Sequence, residues 1–471
     1  MDKSIKTPNR TGILVRALIV LAMCGIVNSA AVFVSPMAKH FGWTTEAIAG
    51  VATYMAFMQT PGHIISGWLL GKIGAKKTLF LGCILLGLAF LLSGMVPSGS
   101  PWMLYITFSV LQGLGVGFTY TGSTYCATGW YPDKRGLASG LCMAFNGGSA
   151  TFLAPLIVKL ISSIGIIVTL YIVGGAIIVI GICAAIGLKT APVGYAPAGW
   201  KAKADDPKLA ATQLESLTPG QAFRTRGYWH LFLGYGLFPT MYIICYPRFS
   251  VLISDAGYSL SAATIGVSIY SICNVIGRLG MGALIDKLGY RKVYTICGIC
   301  SVASSLCLMF AHSLAMFYIA YVLLAVGFGA TNCCHPVAVQ ETYGSKYAGG
   351  IFGICMLGYM IICTFISPKI SSALVKATGS YTASMIYAIV ACIIAVAVYT
   401  TIPMPKRRTL AEVAAEEKPR RRRPRRPDPR SIIRTPFSPH ICGMAGFLFL
   451  RSCRTVSGET DINTKGSILW A

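Results

Sequence analysis

The sequence predicts an all-α membrane protein of about twelve transmembrane helices, built as two related halves. Three observations carry this. Of 471 residues, 55% are hydrophobic and only 12% are charged, about half the charged share of an ordinary soluble domain. Apolar runs of roughly the 20 residues that a spanning helix needs recur along the first 400 positions. One glycine-and-lysine motif appears twice, about half the helical body apart. Within lipid the backbone must satisfy its own hydrogen bonds, so the apolar runs are expected as helices.

In chain order the expected spans lie near 13–35, 45–70, 78–96, 101–127, 138–161, 165–189, 228–253, 261–286, 292–310, 315–341, 348–374 and 381–402. The first is too long for a signal-peptide core and lacks a small-residue cleavage site, so it reads as a retained helix. The 51 glycines suit close helix approach in a membrane. The 17 cysteines are scattered and mostly fall in apolar spans. There they act as small hydrophobes, and they outline no disulfide framework. Positive charge gathers in alternate loops: Lys72, Lys76 and Lys77; Lys134 and Arg135; Lys201 to Arg226; and Lys287, Arg291 and Lys292. The loops between are nearly bare. The positive-inside rule then puts both termini in the cytoplasm and requires an even number of spans.

Residues 190–227 form the one long internal loop, with Pro192, Pro197, Pro207 and Pro219, and read as a cytoplasmic linker. The expected divisions are a first six-helix bundle over 1–189, this linker, a second bundle over 228–402, and a basic, disordered cytoplasmic tail over 403–471. The halves resemble each other. Gly67-Trp-Leu-Leu-Gly71-Lys72-Ile-Gly74-Ala-Lys76-Lys77 follows the second span. Gly282-Ala-Leu-Ile-Asp286-Lys287-Leu-Gly289-Tyr-Arg291-Lys292 follows the eighth, 215 positions later. Glycine lets two helices approach and the chain reverse, and the basic pair anchors the turn at the membrane surface. Any internal loop holds glycine and lysine, but two copies at matching places weigh against coincidence.

Both turns resemble the signature loop of the major facilitator superfamily, Gly-x-x-x-Asp-Arg/Lys-x-Gly-x-Arg/Lys-Arg/Lys. The first copy has Gly71 where the family has Asp. Trp130-Tyr-Pro-Asp-Lys-Arg-Gly-Leu-Ala-Ser-Gly140 is similar to a stretch of the oxalate/formate antiporter family, as is the Phe41-Gly-Trp-Thr44 turn. That family is related to the monocarboxylate transporters. The resemblance covers residues 10–402. It implies two six-helix bundles around a central cavity, with alternating access by rocking. The gating residues it marks are Gly67, Lys72, Gly74, Asp133, Arg135, Gly282, Asp286, Gly289 and Arg291.

An ionisable group inside a span is costly and is a site candidate by default. Arg278 lies eight residues before Asp286, about 12 Å inside the boundary at 1.5 Å per residue. Its planar fork of donors matches a carboxylate; the plain structural alternative is an arginine snorkelling to the headgroups. The resemblance implies that Arg278 is the ligand of the substrate anion. The oxalate exchanger has a second cation, a lysine, where this chain aligns Met356, so one cation here suits one carboxylate. Monocarboxylate transporters often carry an acid at the position of Asn274, which shares a helix face with Arg278 but cannot carry a proton.

No acid falls deep in a span, which counts against a cation exporter. The buried titratable groups are His63 and His335. His335 precedes Pro336, which frees a backbone carbonyl inside the membrane, and shares a face with Asn332. A packed, hydrogen-bonded histidine is the plain alternative. Cys333-Cys334-His335 is not expected to hold a metal, because consecutive helical residues diverge. Asn28, Tyr120, Tyr125, Asn146 and Tyr242 are polar groups that would complete a cavity, although tyrosines in membrane proteins are commonly packing or interfacial. The substrate-binding candidates are therefore Arg278, Asn274, Asn332, His335, Tyr125 and Asn146.

No phosphate-binding loop, redox motif or catalytic constellation appears, so neither an enzyme nor a cofactor is expected. The basic run from Lys406 to Arg430 is expected to lie on anionic lipid rather than on nucleic acid. The reading is a monomeric secondary carrier of small carboxylates, working by anion exchange or proton-coupled symport, in the inner (cytoplasmic) membrane. Monocarboxylates such as formate, lactate or pyruvate are favoured over oxalate. The rival is a membrane sensor of a carboxylate that kept the fold without transport.

Overall fold

The computed structural model describes residues 9–48, 50–197, 199–200, 212–413 and 415. The described residues are helical throughout the membrane body, and the one β feature among them is an isolated antiparallel bridge between Leu214 and Thr409. Among the described residues, ten helices are long and apolar enough to cross a membrane. One of them covers two spans, because its long helix, Val51–Ser93, reverses at Gly74 (φ 79°, ψ 169°). That backbone region is open essentially to glycine alone. Gly289 has the same conformation (φ 80°, ψ 155°) between the matching helices of the second half. The two motif glycines are thus the turns themselves.

We label the spans α1 (10–41), α2 (51–73), α3 (75–93), α4 (Trp102–Gly129), α5 (Arg135–Ile164), α6 (Ile166–Ile186), α7 (226–255), α8 (Leu260–Leu288), α9 (Tyr290–Met309), α10 (Leu314–Tyr343), α11 (Ala348–Thr378) and α12 (Thr382–Thr400). The first and seventh are broken at corresponding points. A 3-10 turn over Gly25–Ser29 interrupts α1, and Pro239 interrupts α7 between Leu237 and Thr240. Pro239 removes a donor and clashes with the preceding turn. Two further spans, α4 and α11, contain π-helical turns over Tyr105–Leu111 and Tyr359–Ile366.

The described residues of the segment between the halves include local structure. Thr218 and Gln221 form a capping box that starts a one-turn helix, Pro219–Phe223. Glu215 pairs with Arg408 at 3.0 Å, and Arg407 donates to the Glu341 carbonyl at 3.0 Å. Arg407, Arg408 and Thr409, within the expected tail, thus contact the body. The run from Arg420 to Arg430 lies outside the described residues.

The two halves meet most tightly on the side of the Gly74 and Gly289 turns, called the basic side below. Gly67 on α2 touches the backbone of Gly349 and Gly350 on α11. Gly282 on α8 faces Gly136 and Gly140 on α5, where a Cβ would stand 2.8 Å from the Gly140 Cα. Only glycine permits such approaches. Ser139 Oγ donates to the Cys333 carbonyl at 3.0 Å, and Gln340 donates to Thr128 Oγ1. The seam is therefore stitched by polar contacts as well as by shape.

Candidate functional site

Beyond Gly148 and Val275 the seam gives way to a cavity of 890 Å3. Its walls come from both halves: Asn28 on α1, Tyr120 on α4, Met143 to Pro155 on α5, Tyr242 on α7, Val267 to Arg278 on α8, and Asn332 on α10. The breaks in α1 and α7 sit beside Asn28 and Tyr242. Discontinuous helices at a midplane site are a recurring device of transporters. An adjoining recess of 140 Å3 shares Asn28, Tyr120, Asn146, Asn332 and Tyr359, and adds Gln59, His63 and Met356.

Among the described residues, Arg278 is the one charged residue lining either space. Its Nη1 donates to the Met143 carbonyl, the single hydrogen bond of the guanidinium among the described residues. Its Nε is buried with no partner. The side chain lies against Gly147, where any Cβ would collide with Nη1. A permanent cation with donors unused, facing a cavity with no acid in its lining, is matched by an anion.

Asn274 lines the cavity one turn from Arg278. Its Nδ2 donates to the Ala325 carbonyl at 3.1 Å and to the Tyr270 hydroxyl at 3.4 Å. Asn332 donates to the Phe328 carbonyl at 3.1 Å and accepts from Tyr235 at 3.4 Å. Asn146 accepts from Asn28 through its backbone carbonyl at 3.1 Å. These three and Arg278 are brought together. His335 and Tyr125 are not. His335 is fully buried, stacked on Tyr235 at 3.9 Å, with Nδ1 3.3 Å from the Tyr399 hydroxyl. It packs the interior of the second half. Tyr125 packs against Phe352 and lines a different cavity on the basic side. Spacing put both on polar positions of the correct helices, but the turn of each helix carried them away from the chamber.

Sequence reading missed Gln59, Tyr270 and Tyr359. Gln59 had a signal of the kind noted for His335, a polar residue beside a proline, here Pro61. Tyr359 begins the π-helical turn of α11, and such turns gather at functional sites. No local sequence signal announces that turn.

The gating residues divide into two groups. Asp286 accepts from the Gly136 N–H and the Leu137 N–H, both at 2.8 Å, at the start of α5. A carboxylate fits the positive end of a helix. Buried Arg135 reaches Ser345 Oγ in the other half at 3.4 Å. Gly67 and Gly282 also meet the other half, whereas Asp133, Lys72 and Arg291 act within their own half. Asp133 pairs with Arg10 at 2.9 Å, Lys72 stands over the Trp68 ring at 3.7 Å, and Arg291 donates to the Thr400 and Ile402 carbonyls at the end of α12. No group of metal-ligating side chains occurs among the described residues.

Two stitched bundles enclosing a polar cavity, with paired broken helices beside it, define a membrane transporter. The profile of the Major Facilitator Superfamily matches residues 17–266 and 231–453, and the chain belongs to that family. It is a transporter and not an enzyme. The chain is 26% identical over 360 residues to the oxalate:formate antiporter of Oxalobacter formigenes, covering 73% of this chain and 80% of that one. It is 26% identical over 300 residues to an uncharacterized MFS-type transporter, YhjX, of Escherichia coli, covering 63% and 71%. It is 25% identical to human monocarboxylate transporter 12, covering 69% and 66%. Among solved structures, the E. coli fucose:proton symporter FucP superposes with a TM-score of 0.63 at 12% identity, covering 83% of this chain and 98% of that one. That likeness is one of fold.

Proposed function

We propose that this transporter is a secondary carrier of small carboxylate anions, taking monocarboxylates such as formate, lactate or pyruvate in preference to oxalate. The observation that carries the reading is Arg278, the lone charge among the described residues of the cavity, with donor capacity that none of them uses. One carboxylate satisfies it. Asn274, Asn332 and Asn146 supply neutral hydrogen-bonding groups around the anion. Met356 lines the recess without adding a second charge, so the second carboxylate of a dianion would be desolvated unpaired. The names of the antiporter and monocarboxylate relatives agree with this substrate class.

Transport proceeds by alternating access, with exchange of a second anion or co-transport of a proton as the source of energy. The distribution of lysine and arginine supports an orientation with the basic side, and both termini, in the cytoplasm. The carrier works as a monomer in the inner membrane, with its basic tail on anionic lipid. The test is uptake of labelled formate, lactate, pyruvate, acetate and oxalate into proteoliposomes, alongside thermal stabilisation of the purified protein. Binding without flux would leave a carboxylate sensor instead. Faster oxalate than monocarboxylate exchange would overturn the selectivity.

A further inference from the structure

The recess beside the central cavity carries hydrogen-bonding capacity that a carboxylate on Arg278 does not use. Its 140 Å3 is room for about five water-sized groups. The amide of Gln59 on α2 and the hydroxyl of Tyr359 on α11 line it from opposite halves, and neither makes a hydrogen bond among the described residues. Both side chains are half-buried. His63, one turn along α2 from Gln59, lines it too, with Nδ1 2.8 Å from Thr121 Oγ1. Among the described residues, none in this lining is charged. The recess also comes close to the guanidinium. Asn146 lines both spaces, and its neighbour Gly147 lies against Arg278 Nη1. Tyr120 lines both as well. Its hydroxyl donates to Met143 Sδ at 2.7 Å, in the residue whose carbonyl accepts from Arg278.

We infer that the recess seats an uncharged, hydroxyl-bearing tail of the substrate, so that the transporter favours short polyhydroxy monocarboxylates over unsubstituted acids of the same length. The inference rests on Arg278 as the partner of the carboxylate and says which monocarboxylates fit best. The recess has room for a tail of about four to six non-hydrogen atoms. An amide and a phenol each donate and accept, as the hydroxyls of such a tail do. An alkyl tail would displace water from Gln59 and Tyr359 without replacing its hydrogen bonds. A hydroxylated tail returns them. A charged tail is disfavoured, because the lining offers a second carboxylate no cation and an ammonium no acid. Sites built to hydrogen-bond a substrate hydroxyl discriminate more sharply than sites that measure one methylene.

The test is calorimetric binding to the purified full-length protein at neutral pH, where every acid used is ionised. Glycerate is compared with propionate and erythronate with butyrate, each pair equal in length and charge. Erythritol supplies a hydroxylated chain without a carboxylate. The hydroxylated member of each pair is expected to bind about ten-fold more tightly or better, and erythritol is expected not to compete. Gln59→Met and Tyr359→Phe remove the hydrogen-bonding groups with little change of shape. Each should cut the ratio of affinities within a pair about three-fold to ten-fold. Arg278→Ala should lose both members of each pair. If wild-type protein binds propionate and butyrate as tightly as their hydroxylated partners, the inference is overturned and the monocarboxylate reading stands. A ratio that survives in both Gln59→Met and Tyr359→Phe also overturns it, because the tail is then not read in this recess. If wild-type protein binds none of the four acids, or Arg278→Ala binds them normally, the assignment of Arg278 fails and this inference fails with it.

Discussion

Asp286→Asn tests the basic-side latch. The Asp286 carboxylate takes two backbone N–H groups at the start of α5, each at 2.8 Å. It lies on α8, so the contact crosses the seam between the halves. Hydrogen bonds to a charged group are worth roughly 1.5–3 kcal/mol each, and the helix end adds about 0.3–1 kcal/mol. Asn keeps one acceptor oxygen and loses the charge. The site is half-buried, so solvent recovers part of the difference, and a net loss of about 1–2 kcal/mol is expected. That moves the equilibrium between the two gate states roughly 5–30-fold toward opening on the basic side. Gly71 is the counterpart on α2, and it carries no acid. An ideal Cβ there meets the Tyr347 ring at 3.6 Å, an ordinary contact, immediately before the start of α11. Gly71→Asp should therefore fit and add about 0.3–1 kcal/mol to the shut state, a shift of roughly 2–5-fold. Its effect on helix propensity acts on both states alike and cancels. Paired-label distances, or cysteine accessibility across the basic side, measure both shifts. If Asp286→Asn leaves the distribution unchanged, the latch assignment fails. If only Gly71→Asp is silent, the asymmetry between the two turns is neutral.

Arg278→Lys keeps the charge and loses the fork, while Arg278→Ala loses both; each should fold, and neither should transport normally, with wild-type uptake by the alanine variant sinking the assignment. Gly147→Ala leaves every charge in place but puts a methyl where Arg278 Nη1 lies. Displacing the guanidinium by about 1 Å is expected to lower uptake on the order of 10-fold to 100-fold, and normal kinetics would show that its position is not critical. Met356→Lys puts a second cation in the recess and should raise oxalate binding relative to lactate or formate in a competition assay; an unchanged ratio would refute the single-cation account of selectivity.

Solvent chemistry made much of this protein legible in its sequence. A chain with few charges and repeated apolar runs has helices as its backbone solution in lipid, so the spans follow from composition and length, and their pairing into halves from the repeated turn motif. Gly74 and Gly289 were readable because their backbone conformation excludes other residues. Arg278 was readable because a charge at that depth needs a reason. The tertiary structure decided which polar residues share a space. Tyr125 and Tyr120 lie on the same helix, yet Tyr120 faces the central chamber and Tyr125 faces the basic-side cavity. His335 and Asn332 are three residues apart, but only Asn332 reaches the chamber. A helix turns about 100° per residue, so small differences in rotation, set by contacts with helices far away in the chain, choose which side chain reaches the cavity. The breaks at Gly25–Ser29 and Pro239 and the π-helical turn at Tyr359 add rotations with little local signature. The Asp286 latch and the Gly67 and Gly282 seams are contacts between halves separated by more than 100 residues, and packing alone brings them together.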